Sequence, residues 1–256
     1  LRWMQGLRWG RRNQWRMQHF SQLQILDFQD LDKEVDSDSD IWNNTLRIEY
    51  QNRIGKSTLV QSMAELSTTS VNSTDYVLIR SRWSFSQRHT LQREFGMENV
   101  LRVDMNQAYN NDFGWNWSGE LGWNSKLSPE LGIRLLSAKN SVIPTFNDLY
   151  WPVLGNPDLI SEQVYSIESG LHWFQTPLRW DGGNLKADVQ LSYYWNNVNN
   201  GIRWLPDEQG LSRPLNIEVI TARGVESDIA LGFRHAQFSG VLKSGVYQVI
   251  AHMDKE

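Results

Sequence analysis

Residues 185–196 read LKADVQLSYYWN. Leu185, Ala187, Val189, Leu191, Tyr193 and Trp195 fall on one parity; Lys186, Asp188, Gln190, Ser192, Tyr194 and Asn196 fall on the other. Successive side chains of an extended chain point to opposite faces, so this segment is a strand with one apolar and one polar face. A helix would scatter Leu185, Val189 and Leu191 among the charges.

The rhythm recurs on both sides. Tyr165, Ile167, Leu171 and Trp173 alternate with Ser166, Glu168 and His172; Val225, Ile229, Leu231 and Phe233 alternate with Glu226, Asp228 and Arg234. Leu46, Ile48 and Tyr50 sit against Arg47 and Glu49, and Trp115, Trp117, Leu121 and Trp123 against Asn116, Ser118, Glu120 and Asn124. About twelve strands follow, at 2–10, 13–26, 41–52, 56–66, 75–86, 88–104, 113–124, 129–139, 161–173, 184–196, 219–233 and 237–252. No helix of ordinary length is evident, so the class is all-β. Short connections near Arg11, Ile54–Lys56, Gln87, Ser125–Ser128, Thr176–Gly183 and Ala236 alternate with long polar ones at 27–40, 67–74, 105–112, 140–160 and 197–218. Short turns at one end and long loops at the other are the asymmetry of an outer-membrane barrel.

A soluble sandwich alternates too, and three features separate the two. The strands reach about 10 residues, enough to cross a hydrocarbon layer when tilted, against about 5–6 in soluble sheets. Aromatic rings gather near strand ends (Trp83 and Phe85, Trp115 and Trp123, Trp173, Tyr193 and Trp195), as in interfacial girdles. The polar faces carry mid-strand charge at Arg80, Glu168, Lys186 and Asp188, which a watery lumen tolerates. The expectation is an antiparallel up-and-down transmembrane β-barrel. Composition agrees. The 256 residues hold 25 Lys+Arg against 29 Asp+Glu, which argues against a dedicated nucleic-acid binder. The absence of cysteine excludes a disulfide scaffold and a thiolate site. No apolar run reaches the length of a transmembrane helix, and no basic-then-apolar leader opens the sequence. Mean hydropathy is −0.52 despite 13 Trp, 8 Tyr and 9 Phe. Strands half turned to lipid and half to water reconcile the two.

One segment is distinctive: Ile143-Pro144-Thr145-Phe146-Asn147-Asp148-Leu149-Tyr150-Trp151-Pro152, then Gly155-Asn156-Pro157-Asp158-Leu159 and Ser161-Glu162. It resembles the "PTF-x-DLY … GNPDL-x-x-E" stretch of TonB-dependent outer-membrane receptors. The likeness continues through Val164–Trp173, Asn199-Gly201-Ile202-Arg203-Trp204-Leu205-Pro206, Arg213-Pro214-Asn216-Ile217 and Arg223-Gly224-Val225-Glu226. Motif-bearing residues span roughly 140–235, in the style of the cobalamin/siderophore branch of Bacteroidetes. The resemblance implies a barrel of about 22 strands with an N-terminal plug. Such a barrel resides in the outer membrane of a Gram-negative cell and takes up a scarce bulky nutrient with energy relayed by TonB; no catalysis is implied. Residues 1–256 would be a partial barrel domain, with plug, TonB-contacting segment and closing strands outside it, and would not fold alone. The Pro144–Leu159 and Asn196–Asn216 loops would face outside, with Gln175–Asn184 a periplasmic turn. Asn147, Tyr150, Trp151, Asn197, Asn200, Arg203 and Trp204 are then the ligand-contact candidates, against the plainer reading that they pack the loop base or the girdle. Two other functions fit the strand pattern: a passive outer-membrane pore, and a soluble all-β glycan-binding domain stacking sugars on surface Trp.

Other signals resolve more plainly. Gly55-Lys56-Ser57-Thr58 looks like the end of a phosphate loop, but Tyr50 stands where a Gly is required and a strand follows, so a Lys-bearing turn is expected. Asp36, Asp38 and Asp40 lie in an acidic loop at 27–40 with the alternate spacing of calcium ligands. Ile41 and Arg47 stand where an EF-hand needs Gly and Glu, and a solvated acidic loop is the reading, with calcium the alternative. No other cofactor is indicated. His19, His89, His172, His235 and His252 lack metal-ligand spacing and read as lumen or turn residues.

Overall fold

The computed structural model describes residues 2–10, 13–30, 35–74, 79–96, 98–151, 154–175, 178–208 and 210–254. The strands are β1 (Arg2–Trp9), β2 (Asn13–Asp30), β3 (Val35–Ile54), β4 (Thr58–Ser73), β5 (Arg80–Phe95), β6 (Asn99–Asn110), β7 (Gly114–Ser128), β8 (Leu131–Val142), β9 (Glu162–Phe174), β10 (Leu178–Trp180), β11 (Gly183–Pro206), β12 (Ser212–His235) and β13 (Phe238–Asp254), with a five-residue helix α1 (Phe146–Tyr150) between β8 and β9. They form one antiparallel sheet in which each strand pairs with the next along the chain, except that β9 pairs with β11 and β10 lies off this path, pairing only with β11. Among the described residues β1 and β13 do not pair with each other, so this stretch of wall is not closed.

The register sorts the two parities into two faces. Leu46, Leu66, Phe85, Tyr109 and Trp115 are successive partners across five strands. Their neighbours on the other parity include the pair Arg47 and Glu65. A soluble protein would bury the first set against a second layer. Here the wall is one layer thick and the apolar face stays open: Trp83, Leu91, Leu121, Ile167, Leu191 and Ile229 are all exposed. Its solvent is therefore lipid, and the sheet is the wall of a transmembrane β-barrel, whose outward band is apolar and whose interior is polar. Aromatic rings cluster at both ends of that outer face. At the short-turn end Trp9 stacks on Trp15 at 6.3 Å and Trp15 lies 4.7 Å from Tyr50. At the other end Trp83, Tyr109 and Trp115 follow one another at 5.3 and 5.4 Å.

Several boundaries differ from the sequence expectation. No turn occurs at Gln87, which faces Gln107 in mid-sheet. The turn lies at Gly96–Glu98, where Gly96 and Glu98 take φ of 62° and 66°. The polar run Gln87-Arg88-His89 imitates a turn, yet the apolar parity resumes at Leu91, and Gly supplies positive φ at no steric cost. The segments 67–74 and 105–112 are mostly strand, running through Ser73 and Asn110. The 27–40 segment is strand as well: Asp36, Asp38 and Asp40 share one parity of β3 and are not a loop, and residues 31–34 and the Asp36 side chain lie outside the described residues. The largest change concerns 197–218. β11 and β12 continue as a paired ribbon up to Pro206↔Ser212, leaving a connection of residues 207–211 closed by Asp207 N–H donating to Leu211 O at 2.8 Å. Polar composition marks water there, not irregular backbone; above the lipid a ribbon needs no apolar parity. At the opposite end the 175–182 turn contains the unforeseen β10. Gly55–Ser57 is a turn entering β4, as expected of a Lys-bearing turn. His19 and His89 stand on the outward parity, the latter bonded to Ser62 at 3.0 Å, so neither is a lumen or turn residue.

Candidate functional site

The only long connection that is not strand among the described residues, 143–151 with 154–161, is held by a dense set of hydrogen bonds. Thr145 caps α1. Its hydroxyl accepts from Asp148 N–H at 3.2 Å, and Asp148 Oδ2 accepts from Thr145 N–H at 2.9 Å, completing a capping box. Pro144 is fully buried and Leu149 and Leu159 nearly so. Gly155 N–H donates to Trp151 O and Asn156 N–H to Asp148 O, both at 2.8 Å. A Cβ on Gly155 would lie 2.6 Å from Trp151 N and 2.8 Å from Leu149 O, so only glycine fits.

Two further elements hold this loop. From the ribbon, Trp204 Nε1 donates to Asp148 Oδ1 at 2.9 Å. Asn156 Nδ2 donates to the carbonyl of buried Pro214 at 3.1 Å. Asn216 Oδ1 accepts from Ile160 N–H at 2.9 Å while its Nδ2 donates to Ile160 O and Asn200 O at 3.0 and 2.7 Å. Asn200 takes φ of 55°, a conformation Asn tolerates better than other side-chain-bearing residues. Glu162 accepts from Ile202 N–H at 3.0 Å and lies 3.6 Å from Arg203. From the other side, Arg82 on the polar parity of β5 donates to Pro144 O at 3.0 Å and pairs with Asp112 at 2.6 Å. Its guanidinium lies 4.9 Å from the Phe146 ring and 5.2 Å from Phe113. Arg80 stacks on Tyr150 at 4.0 Å. Since Arg80 and Arg82 are on the inward parity, α1 folds over the inner side of the wall. A hollow of about 460 Å³ opens beside it, lined by Asp112, Phe113, Leu149, Tyr150, Leu159 and Ser161 among others.

The candidates divide accordingly. Asn147, Tyr150 and Trp151 lie on or at the end of α1, Asn147 and Trp151 exposed and Tyr150 half-buried. Trp204 joins them through Asp148 and leaves 39% of its surface free. Asn200 and Arg203 lie on the ribbon beside Glu162, in strand rather than loop. Asn197 is within β11, its amide donating to Thr221 Oγ1 at 3.2 Å on the outward parity, away from the inner face. Arg80, Arg82 and Asp112 were not among the expected site residues; Arg80, expected as a mid-strand lumen charge, stands at the first position of β5 beside the loop. The available signal was two arginines, two residues apart, on the polar parity at the long-loop end of a strand.

Below the loop the inner face is lined by compensated charge. Arg16 meets Glu49 at 3.2 Å, Arg47 meets Glu65 at 2.7 Å, and Arg102 bonds Asp104, which also accepts from Thr90. His172 lies 3.0 Å from Asp188. Among the described residues no group of three or more His, Asp or Glu is arranged to hold a metal ion.

Comparison with known proteins places this wall. Residues 98–249 match the family model described as TonB dependent receptor-like, beta-barrel. The chain belongs to the TonB-dependent receptor-like β-barrel family. Two vitamin B12 transporters named BtuB are similar to it. The one from Photobacterium profundum is 26% identical over 137 residues, covering 52% of this chain and 20% of that protein. The one from Vibrio vulnificus is 30% identical over 130 residues, covering 50% and 19%. The match thus spans about a fifth of the length of these relatives. Among solved structures, the siderophore receptor PirA of Pseudomonas aeruginosa superposes with a TM-score of 0.70 at 16% identity, over 98% of this chain and 54% of that one. The ferric enterobactin receptor PfeA of the same organism gives 0.66 at 12% identity, over 96% and 43%. These relatives are transporters and receptors, not enzymes.

Proposed function

We propose that this barrel wall belongs to an outer-membrane receptor that imports a scarce, bulky nutrient, of the cobalamin or siderophore kind, with energy delivered through TonB to a plug encoded outside these residues. The observation that carries the reading is the inward-folded α1 loop. The loop holds its rings and amides at a fixed place over the inner face, and the family to which the chain belongs is that of TonB-dependent receptors. Here Arg82, Pro214 and Trp204 hold α1 so that Asn147, Tyr150 and Trp151 are presented at the mouth. Aromatic and amide groups on a rigid base suit a large ligand with both apolar and hydrogen-bonding surface. We assign the contact surface to Asn147, Tyr150, Trp151, Trp204 and Arg203, with Arg80 behind Tyr150.

The test uses the full-length receptor in a Gram-negative host lacking its own cobalamin and siderophore receptors. Growth on limiting cyanocobalamin or on a ferric siderophore should depend on the receptor and vanish when TonB is deleted. Growth that survives TonB deletion would indicate a passive pore. Membrane fractionation of the same cells should recover the receptor with the outer membrane; recovery in the soluble fraction would favour a glycan-binding domain. Added calcium in the uptake assay tests the acidic segment around Asp38 and Asp40.

A further inference from the structure

Four polar side chains meet on the outward parity of β4, β5 and β6. Ser62 and His89 are direct partners, and their side chains bond at 3.0 Å. One pleat nearer the α1 loop, Gln87 faces Gln107. Gln87, His89 and Gln107 are exposed, and neither glutamine side chain makes a hydrogen bond among the described residues. Their depth follows from β5. Its outward parity runs Trp83, Phe85, Gln87, His89, Leu91, Arg93, Phe95, from the aromatic band at the long-loop end to the turn at Gly96–Glu98. His89 is the central position of that run. The cluster therefore sits at mid-wall, with Leu66 and Phe85 on one side of it and Leu91 and Val103 on the other. Strands β8, β9, β11 and β12 carry nothing comparable. Their outward parity over 131–137, 167–173, 185–193 and 225–233 holds no Asn, Gln, His or charged side chain.

An amide in hydrocarbon loses its water and keeps its donors. Each glutamine carries two N–H groups and one carbonyl. Bonding of Gln87 to Gln107 would still leave at least two N–H groups facing lipid, which the membrane interior penalises. A loop of the same chain cannot cover them, because irregular backbone is not tolerated against hydrocarbon. The cover must be another membrane-spanning wall with hydrogen-bonding groups of its own, and a second copy brings them. Amides both donate and accept, so Gln87 and Gln107 are complementary to themselves across a twofold axis. Ser62 and the two glutamines carry no charge, so no repulsion between them opposes the approach. Met105, exposed and the direct partner of His89, adds an adaptable apolar contact.

We propose that the lipid-facing surface around Gln87 and Gln107 is where two copies of this receptor associate side by side within the membrane. The proposal rests on the outer-membrane reading above. If that reading fails, fractionation shows it; if this proposal fails, the receptor still reaches the outer membrane but stays solitary there.

The experiment is oxidative cross-linking of the full-length receptor in intact outer membranes with copper phenanthroline, the parent without an introduced cysteine serving as background. Leu91→Cys, at the rim of the cluster, should give a reducible species of twice the receptor mass. Leu191→Cys, on the outward parity of β11, should give about tenfold less. Adding Gln87→Leu with Gln107→Leu to Leu91→Cys should lower the yield about tenfold, whereas Gln87→Asn with Gln107→Asn should retain most of it. Ser62→Ala with His89→Leu should lower the yield about threefold, and decides the question should the glutamine-to-leucine variant fail to assemble. Equal yields at Leu91→Cys and Leu191→Cys would mean crowding alone and overturn the proposal. A yield that neither apolar pair changes overturns it too. So does a Leu91→Cys adduct to a different protein with no species of twice the receptor mass.

Discussion

At the residue scale, the segment that looks most like a binding motif is first an anchor. Of its named residues, Thr145 and Asp148 cap a five-residue helix, Gly155 lets backbone pass backbone, Asn156 ties to Pro214, and Asp158 N–H donates to Asn156 Oδ1 at 3.0 Å. The exposed residues among them are left for contact. Gly155→Ala should therefore act through position: the receptor still assembles, judged by its heat-dependent gel mobility, while overpacking of about 1–3 kcal/mol unseats α1 and raises protease cleavage within 143–161. Cleavage no faster than in the parent would mean the close approach at Gly155 is dispensable. Asp148 serves two partners at once, the cap and Trp204. Asp148→Ala should cost about 0.5–2 kcal/mol as a lost cap. Combined with Trp204→Phe it should be less than additive by roughly 1 kcal/mol in ligand-binding free energy. Strict additivity would show that the indole–carboxylate bond contributes nothing.

At the scale of the strand, each element has two solvents, and equal chemical changes should have unequal effects. Glu65 meets Arg47 on the inward parity, with about a fifth to a third of each side chain open to water. Such partly hydrated pairs contribute about 0–1 kcal/mol, so Glu65→Gln should barely shift the denaturant midpoint of the full-length receptor refolded in vesicles. Leu191 lies on the outward parity of β11, between Leu171 and Ser227. Leu191→Arg should lower stability by about 2–4 kcal/mol, the cost of a cation near mid-membrane. Similar shifts for the two variants would contradict the assignment of faces. The same logic explains which elements were legible in the sequence. Alternation is visible where one face meets lipid, as in 185–196. It fades where both faces meet water, so the ribbon above Asn196 and the upper parts of β3 and β4 read as loops. Gln87 and His89, polar on the outward parity, broke the rhythm of β5 and imitated a turn.

At the scale of the whole molecule, the wall has almost no interior. Among the described residues, four hydrophobic side chains besides Pro144 and Pro214 are buried, and three of these, Leu149, Leu159 and Ile217, lie at the loop and ribbon rather than mid-wall. Area that a globular protein would bury against a second layer is here left for lipid. Without detergent or bilayer this surface should drive association, so residues 1–256 expressed alone should sediment as aggregate. A soluble, cooperatively melting monomer would refute the membrane barrel. In vesicles of acyl-brominated lipid, outward tryptophans such as Trp173 and Trp195 should be quenched, and Trp173→Phe should reduce the quenched fraction.

The sequence by itself determined the strands, their two faces, the up-and-down order and the family likeness, because each follows from local alternation or from a contiguous motif. The family likeness also placed Asn147, Tyr150, Trp151 and Trp204 among the ligand-contact candidates, without saying that they meet. What only the tertiary structure decided is which way that group faces and what holds it. Arg82 reaches Pro144 from 62 positions away and Asn216 reaches Ile160 from 56 away. Those contacts depend on the register and curvature of a sheet whose successive strands place distant residues side by side. Asn197 is the converse case: near the motif in sequence, it stands on the lipid side because a pleat turns each residue away from its neighbour.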